Sequence, residues 1–351
     1  MSLTATEIPS TMKAVVINEL GGPECLKLIN NHPTPQLKPG HAIIQNQYAG
    51  LNFIDTYFRK GLYKAALPFV PGQEGGGTIL AISSDDTNND STFQVGDVVV
   101  YGTLGAYAQY TLVPITQLVK VPPNVSLDIA VSCYTQGLTA HYLTTSVHCG
   151  MLQTNDWCLI YSVGSGTCQW AAQMAKIQGY KVIGTCSQSK AAAVKEVGAC
   201  DELIVLKEVE GGGMSYSDYS SVDIVGKVMD ITNQKGVKCI LDGVGKSTVD
   251  ISLGCLAQRG LYVSFGNASG AVPAFPVLRL NAKSAFVTRP KLKDYVRDEE
   301  ELMGRWGDIM EWISGGMLKV SVDCVFDLED VKEGHVYLES GKSKGKILYK
   351  I

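Results

Sequence analysis

The chain has 351 residues, 45% of them hydrophobic and 18% charged, with 37 glycines and a formal net charge of −4. That length exceeds one ordinary core and fits two domains, and that composition excludes a disordered or fibrous chain. The weak negative charge gives no basic field for nucleic acid or an anionic membrane surface, and no apolar run approaches the ~18 residues needed to cross a bilayer.

The first eleven residues are polar, with neither a basic n-region nor an apolar h-region, so the expected location is the cytoplasm. From Lys13 to about Cys133, short β-rich segments alternate with Gly and Pro turns: KAVVI (13–17), HAIIQNQY (41–48), VGDVVVY (95–101) and AYAQYTLV (106–113). That spacing predicts a compact, mostly antiparallel β domain. The polar tract SSDDTNNDST (83–92) reads as a loop.

From about Thr135 the rhythm becomes strand, helix, strand. DWCLIYS (156–162) is a short apolar run, QWAAQMAKIQG (169–179) a helix closed by Gly179, and YKVIGTC (180–186) a second strand. KCILDGVG (238–245) and LYVSFGN (261–267) are further buried strands, and the alternation predicts a parallel sheet with helices on both faces. GGGMSYSDYSS (211–221) interrupts this pattern and reads as a surface insertion. A final segment, GKILYKI (345–351), reads as a strand able to return to the first domain. The ten cysteines form no C-x-x-C pair, which points to buried free thiols rather than a zinc ribbon or disulfide framework. The five histidines show no ligand spacing.

The turn after the first of these strands reads Val163, Gly164, Ser165, Gly166, Thr167, Cys168. Glycines there let backbone N–H groups approach a pyrophosphate at a helix N-terminus. The pattern is not G-x-G-x-x-G, because Gln169 stands at its last position, and an ordinary βα turn would explain the pair alone. The second strand ends in Ser187, Gln188, Ser189 and Lys190 with no acid among them. An acid there would bind a ribose 2′-hydroxyl, whereas small hydroxyls and a lysine suit a 2′-phosphate, so NADPH is expected over NADH. The competing reading is that Lys190 merely solvates a helix start.

LNFIDTYFRKGLY (51–63), VPGQEGGG (70–77), QGLTAHYL (136–143) and VSFGNASG (263–270) together resemble the quinone oxidoreductase (zeta-crystallin) branch of the medium-chain dehydrogenase/reductase superfamily, over about Lys13 to Ile351. The resemblance implies an α/β fold with a doubly wound Rossmann sheet (135–290). It implies a discontinuous GroES-like β-rich catalytic domain (1–134 and 291–351), a cleft between the two, and a homodimer. It places Asn52, Thr139, Phe265, Gly266 and Asn267 near the cofactor, with Gly164, Ser165, Gly166, Thr167, Ser187 and Lys190 as its phosphate contacts. Tyr57, Asn52 and Tyr63 would form the catalytic face toward a quinone or enone acceptor, with Tyr57 donating to the acceptor oxygen and Thr139, near a helix start, positioning the ring. No zinc is expected, since Gln73-Glu74 stands where zinc enzymes of the superfamily have His-Glu. Ser165 and Cys168 replace glycines of the branch's loop, and the tyrosine expected after the third strand is replaced by Val205 and Leu206. These departures keep a second class open, a cofactor-sensing, crystallin-like or RNA-associated regulatory protein with weak catalysis.

Overall fold

A computed structural model of the chain describes residues 8–83, 93–211 and 214–351. The loop predicted at 83–92 therefore lies almost wholly outside the described residues. In chain order the first part contains β1 (Thr11–Ile17), β2 (Leu26–Pro33), β3 (His41–Leu51), α1 (Phe53–Arg59), β4 (Gly75–Ile82), β5 (Val98–Tyr101), β6 (Tyr110–Pro114) and β7 (Leu118–Lys120). The middle runs through α2 (Leu127–Thr145), β8 (Trp157–Ile160), α3 (Gly166–Ile177), β9 (Lys181–Ser187), α4 (Ala191–Val197) and β10 (Glu202–Leu206). It continues with β11 (Glu208–Gly211), β12 (Met214–Ser217), α5 (Ile224–Ile231), β13 (Val237–Asp242), α6 (Val249–Cys255), β14 (Leu256–Ser264) and β15 (Phe286–Thr288). The last part holds α7 (Glu299–Ser314), β16 (Val322–Asp327), α8 (Val331–Glu339) and β17 (Lys346–Lys350).

The expected fold class holds. Six strands form a sheet in the order β10-β9-β8-β13-β14-β15, every neighbouring pair parallel. This is the doubly wound order 3-2-1-4-5-6, whose direction reverses between β8 and β13 and opens a crevice at their carboxyl ends. Side chains alternate between two apolar layers: Cys158 and Ile160 face one core with Val182, Leu241 and Val263, while Leu159 and Tyr161 face another with Ile183, Ile240 and Tyr262. Burial on both faces is why these strands read as continuous apolar runs rather than alternating ones.

A second sheet has the order β16-β17-β3-β4-β5-β7, with β6 also paired to β3. The strand β17 lies antiparallel to β3, so residues 346–350 sit in the same sheet as the N-terminal strands. The helix α2 runs unbroken through residues 134 and 135, where the sequence suggested a division, and joins the first core through Tyr134, Leu138, Tyr142 and Leu143.

The tract at 211–221, read as a surface insertion, overlaps β11 and β12, which pair antiparallel as a separate two-stranded sheet, and Tyr219 beyond them is buried in the second core. One expectation is corrected. The helix expected from Gln169 begins three residues earlier at Gly166, because the extended backbone of Ser165 (φ −119°, ψ 158°) is its N-cap. All ten cysteines are free thiols and seven of them are buried, as their scattered spacing suggested.

Candidate active site

The turn between β8 and α3 is tied to β9 by two bonds, Val163 N–H to the Thr185 carbonyl (2.9 Å) and Ser162 N–H to Thr185 Oγ1 (3.1 Å). A Cβ on Gly164 would stand 2.8 Å from Lys190 Cβ, and one on Gly166 would stand 2.3 Å from Gln136 Oε1. At Gly164 an added Cβ would meet the base of the Lys190 side chain, whereas at Gly166 it would meet only the amide end of Gln136. Gln136 Oε1 is buried without a hydrogen-bond partner, an orphaned acceptor beside the turn. Ser165 does not point its hydroxyl proton outward: Oγ donates to the Ser162 carbonyl at 2.7 Å, so helping a phosphate by donation requires breaking that bond. Cys168 is buried in the first core, and burial pushes its thiol up to about 12. Thr167 follows Gly166 in the first turn of α3.

At the end of β9, Ser187 Oγ and Ser189 Oγ lie 3.3 Å apart. Lys190 is only 9% exposed, which sets aside the solvated-lysine reading, and it makes no hydrogen bond or ion pair among the described residues. Burial lowers its pKa. An acid does stand near, although none occurs in the local sequence. Glu208, at the start of β11, accepts from Ser189 N–H (3.1 Å) and Ser189 Oγ (2.6 Å). No tyrosine directly follows β10; Tyr219, buried in the second core, reaches the β8 end, where its Oη lies 2.9 Å from Ser162 Oγ.

The other wall is α1 and the loop after β14. Tyr57 Oη accepts the backbone N–H of Asn267 at 3.0 Å, joining the two walls, and the ring meets Tyr63 edge-on at 5.4 Å. Burial raises the Tyr57 pKa, so the phenol keeps its proton as a donor. The Phe265 and Gly266 amides both point at the Asp242 carbonyl (2.8 and 3.3 Å), and Arg289 holds the loop by donating to the Ser264 and Gly266 carbonyls (2.9 and 3.0 Å). Asp242 itself is pinned by Val244 N–H, Gly245 N–H, Thr248 Oγ1 and Tyr262 Oη.

Asn52 is buried and nearly saturated. Its Oδ1 accepts from Lys346 Nζ (2.8 Å) and Gln136 Nε2 (3.3 Å), and its Nδ2 donates to Glu74 Oε1 (2.7 Å). One N–H of the amide remains, so toward any ligand Asn52 is a donor only. Lys346 and Glu74 form a wholly buried ion pair, and Glu74 Oε2 accepts the Thr135 N–H at 2.6 Å. Beneath them Asp55 accepts the Asn52 N–H (2.8 Å), and burial raises its carboxyl to about 7. A continuous polar line thus runs from α1 through Gln136 to the glycine turn. Thr139 is not near a helix start, since α2 begins at Leu127; it lies one turn beyond Gln136 on the same face. Its hydroxyl makes no hydrogen bond among the described residues.

Sequence reasoning did not single out Lys346, Gln136, Glu208, Tyr219 or Arg289, although Gln136 opens the motif QGLTAHYL, because each meets the site's other residues through tertiary contact. Among the described residues no three His, Cys, Asp or Glu side chains gather in a way that could hold a metal ion.

Comparison with known proteins agrees with this architecture. A family model described as an alcohol dehydrogenase GroES-like domain matches residues 38–123, and one described as a zinc-binding dehydrogenase matches residues 214–348. A probable quinone oxidoreductase of Schizosaccharomyces pombe is 36% identical, covering 93% of this chain and 94% of its own length. A mycobacterial structure complexed with NADPH is 34% identical with a TM-score of 0.88, covering 97% of this chain and 100% of its own. The Escherichia coli quinone oxidoreductase complexed with NADPH is 32% identical with a TM-score of 0.87 over the same shares.

Proposed function

This chain belongs to the quinone oxidoreductase branch of the medium-chain dehydrogenase/reductase superfamily, and from that premise we infer that it is an NADPH-dependent quinone reductase. The observation that carries the cofactor reading is Lys190, buried against the glycine turn at the sheet's switch point with its ammonium unpaired. The fit is chemical as well as spatial: two serine hydroxyls and an unpaired ammonium are donors, which an anionic phosphate accepts. NADPH, when bound, supplies the hydride.

The chain's own residues have the remaining tasks. Gly164, Ser165, Gly166 and Thr167 offer backbone at the α3 start, and Ser187 and Lys190 face the adenosine phosphate. Phe265, Gly266 and Asn267, held by Arg289, form the far wall, and Thr139 lies on the α2 face shared with Gln136. Tyr57 keeps a neutral O–H to stabilise the acceptor oxygen as charge grows on it, and Tyr63 braces that ring. Asn52 donates its one free N–H. The reduced acceptor takes its proton from water, so no obligatory acid is needed.

The reading extends to a zinc-free mechanism, supported by the Lys346 ammonium that already neutralises Glu74. It extends to quinones or related enones as acceptors, and to domains of 1–134 with 291–351 and of 135–290. It also includes a cytoplasmic homodimer built on the β15 edge. That edge is unpaired in the sheet order, and Val277 and Leu278 before it are 78% and 79% exposed. No helix among the described residues is long and apolar enough to cross a membrane.

The test is NADPH oxidation with a simple quinone, together with Lys190→Met, which keeps the stem over Gly164 and removes the charge. A lysine–phosphate contact of about 1.5–3 kcal/mol predicts a roughly tenfold to hundredfold rise in the NADPH Kd, with NADH barely affected. Equal losses for both cofactors would refute the assignment.

A further inference from the structure

The end of β9 gathers groups suited to an anion: the Ser187 and Ser189 hydroxyls, the Ser189 N–H and the Lys190 ammonium. An anion from the chain is already there. Glu208 accepts both the N–H and the hydroxyl of Ser189 through one oxygen, Oε1, at 3.1 and 2.6 Å. The hydroxyls of Ser187 and Ser189 hold its carboxyl below the usual range, with a smaller contribution from Lys190, so it is ionised at neutral pH. The other acid that Lys190 senses, Asp323, is committed elsewhere, accepting from Tyr337 Oη (2.9 Å) and Lys344 N–H (3.0 Å).

We propose that Glu208 is the resident anion of the 2′-phosphate subsite, a specificity-determining carboxylate that NADPH must displace from Ser189 in order to bind. This rests on the cofactor reading above. The argument is one of competing charge. A phosphate monoester carries about −1.5 to −2 at pH 7 and needs the same donors that Glu208 uses. With Glu208 in place those donors are spent, and with Glu208 displaced but nearby the two anions repel. NADH brings no phosphate to this point, so Glu208 weakens NADPH selectively and narrows the preference that Lys190 creates. The carboxylate also occupies the Ser189 donors in the free protein, leaving the Lys190 ammonium unpaired beside it.

Glu208 is half-buried beside an exposed Val209 and belongs to none of the apolar cores, so its substitution leaves them untouched. Glu208→Gln keeps an oxygen for Ser189 and deletes only the charge, whereas Glu208→Ala frees the donors as well. Binding of NADPH, NADH, adenosine 2′,5′-bisphosphate and adenosine 5′-monophosphate is measured by calorimetry on the full chain and both variants. The expected result is that both variants tighten NADPH and the bisphosphate by on the order of tenfold, leaving NADH and the monophosphate unchanged. Raised salt should shrink the difference, because the repulsion is screened. Unchanged NADPH affinity in both variants would overturn the proposal and leave Glu208 as a turn brace. Weaker binding of all ligands would overturn it in favour of a role in shaping the turn, and weaker NADH alone would make Glu208 a reader of ribose hydroxyls. Failure of the unaltered protein to bind any of the four would overturn the cofactor reading itself, and this proposal with it.

Discussion

At the scale of single residues, Tyr57 is the clearest case of a group whose chemistry follows from its contacts. Its oxygen accepts from Asn267 N–H, and burial raises its pKa, so the phenol remains an O–H with its proton uncommitted. On the proposed role, Tyr57→Phe removes one hydrogen bond to the acceptor, worth about 0.5–1.5 kcal/mol, and turnover should fall roughly threefold to tenfold, by amounts that differ between acceptors. Steady-state kinetics with several quinones checks this; loss of all activity with every acceptor, NADPH binding intact, would make Tyr57 the essential proton donor instead. Tyr57 and Asn52 were visible in the sequence because they stand in one short motif on α1. Their partners were not. Lys346 reaches Asn52 across 294 residues, and Glu208 reaches Ser189 across 19 through an intervening strand, distances over which no local periodicity operates. The absence of an acid at the β9 end was true of the local sequence and untrue of the space around it.

At the scale of elements, α3 shows how a substitution pattern can mislead. Read as letters, Ser165 and Cys168 look like two lost glycines. In the structure Ser165 closes the turn on Ser162, and Cys168 fills the first core. Cys168→Gly therefore removes buried volume and places glycine inside a helix, and should cost about 2–3 kcal/mol of stability. Denaturant unfolding measures it; an unchanged midpoint would mean the thiol adds nothing to the packing. The strands β8, β9, β13 and β14 were legible because a strand buried on both faces is a bare apolar run. The start of α3 was hidden because Gly166-Thr167 has loop composition and is set by the cap geometry of Ser165. The hairpin of β11 and β12 was hidden for a similar reason, since its glycines and serines carry no alternation.

At the scale of the molecule, the strand–helix rhythm anticipated a parallel sheet with helices on both faces, and the last apolar segment anticipated a strand returning to the first domain, where it pairs with β3. Strand order followed from parallel pairing, because right-handed crossovers leave few other arrangements. The edge strand β15 has a free side with Phe286 49% exposed and Val287 39% exposed. Phe286→Lys places a charge on that edge and should convert a homodimer to a monomer at micromolar concentration, read by light scattering. An unaltered dimer would place the interface elsewhere, and a monomeric parent protein would remove the dimer from the proposal.

The ion pair of Lys346 with Glu74 also has a temporal side. Glu74 and Asn52 leave the ribosome early, and the cation that satisfies them is synthesised 272 and 294 residues later. All six strands of the parallel sheet lie in between. A nascent chain that stops short of Lys346 therefore holds a carboxylate and an amide still awaiting their cation, and its first core still lacks Leu348. Closing that cluster thus waits for β17, the strand that brings both the cation and a partner for β3.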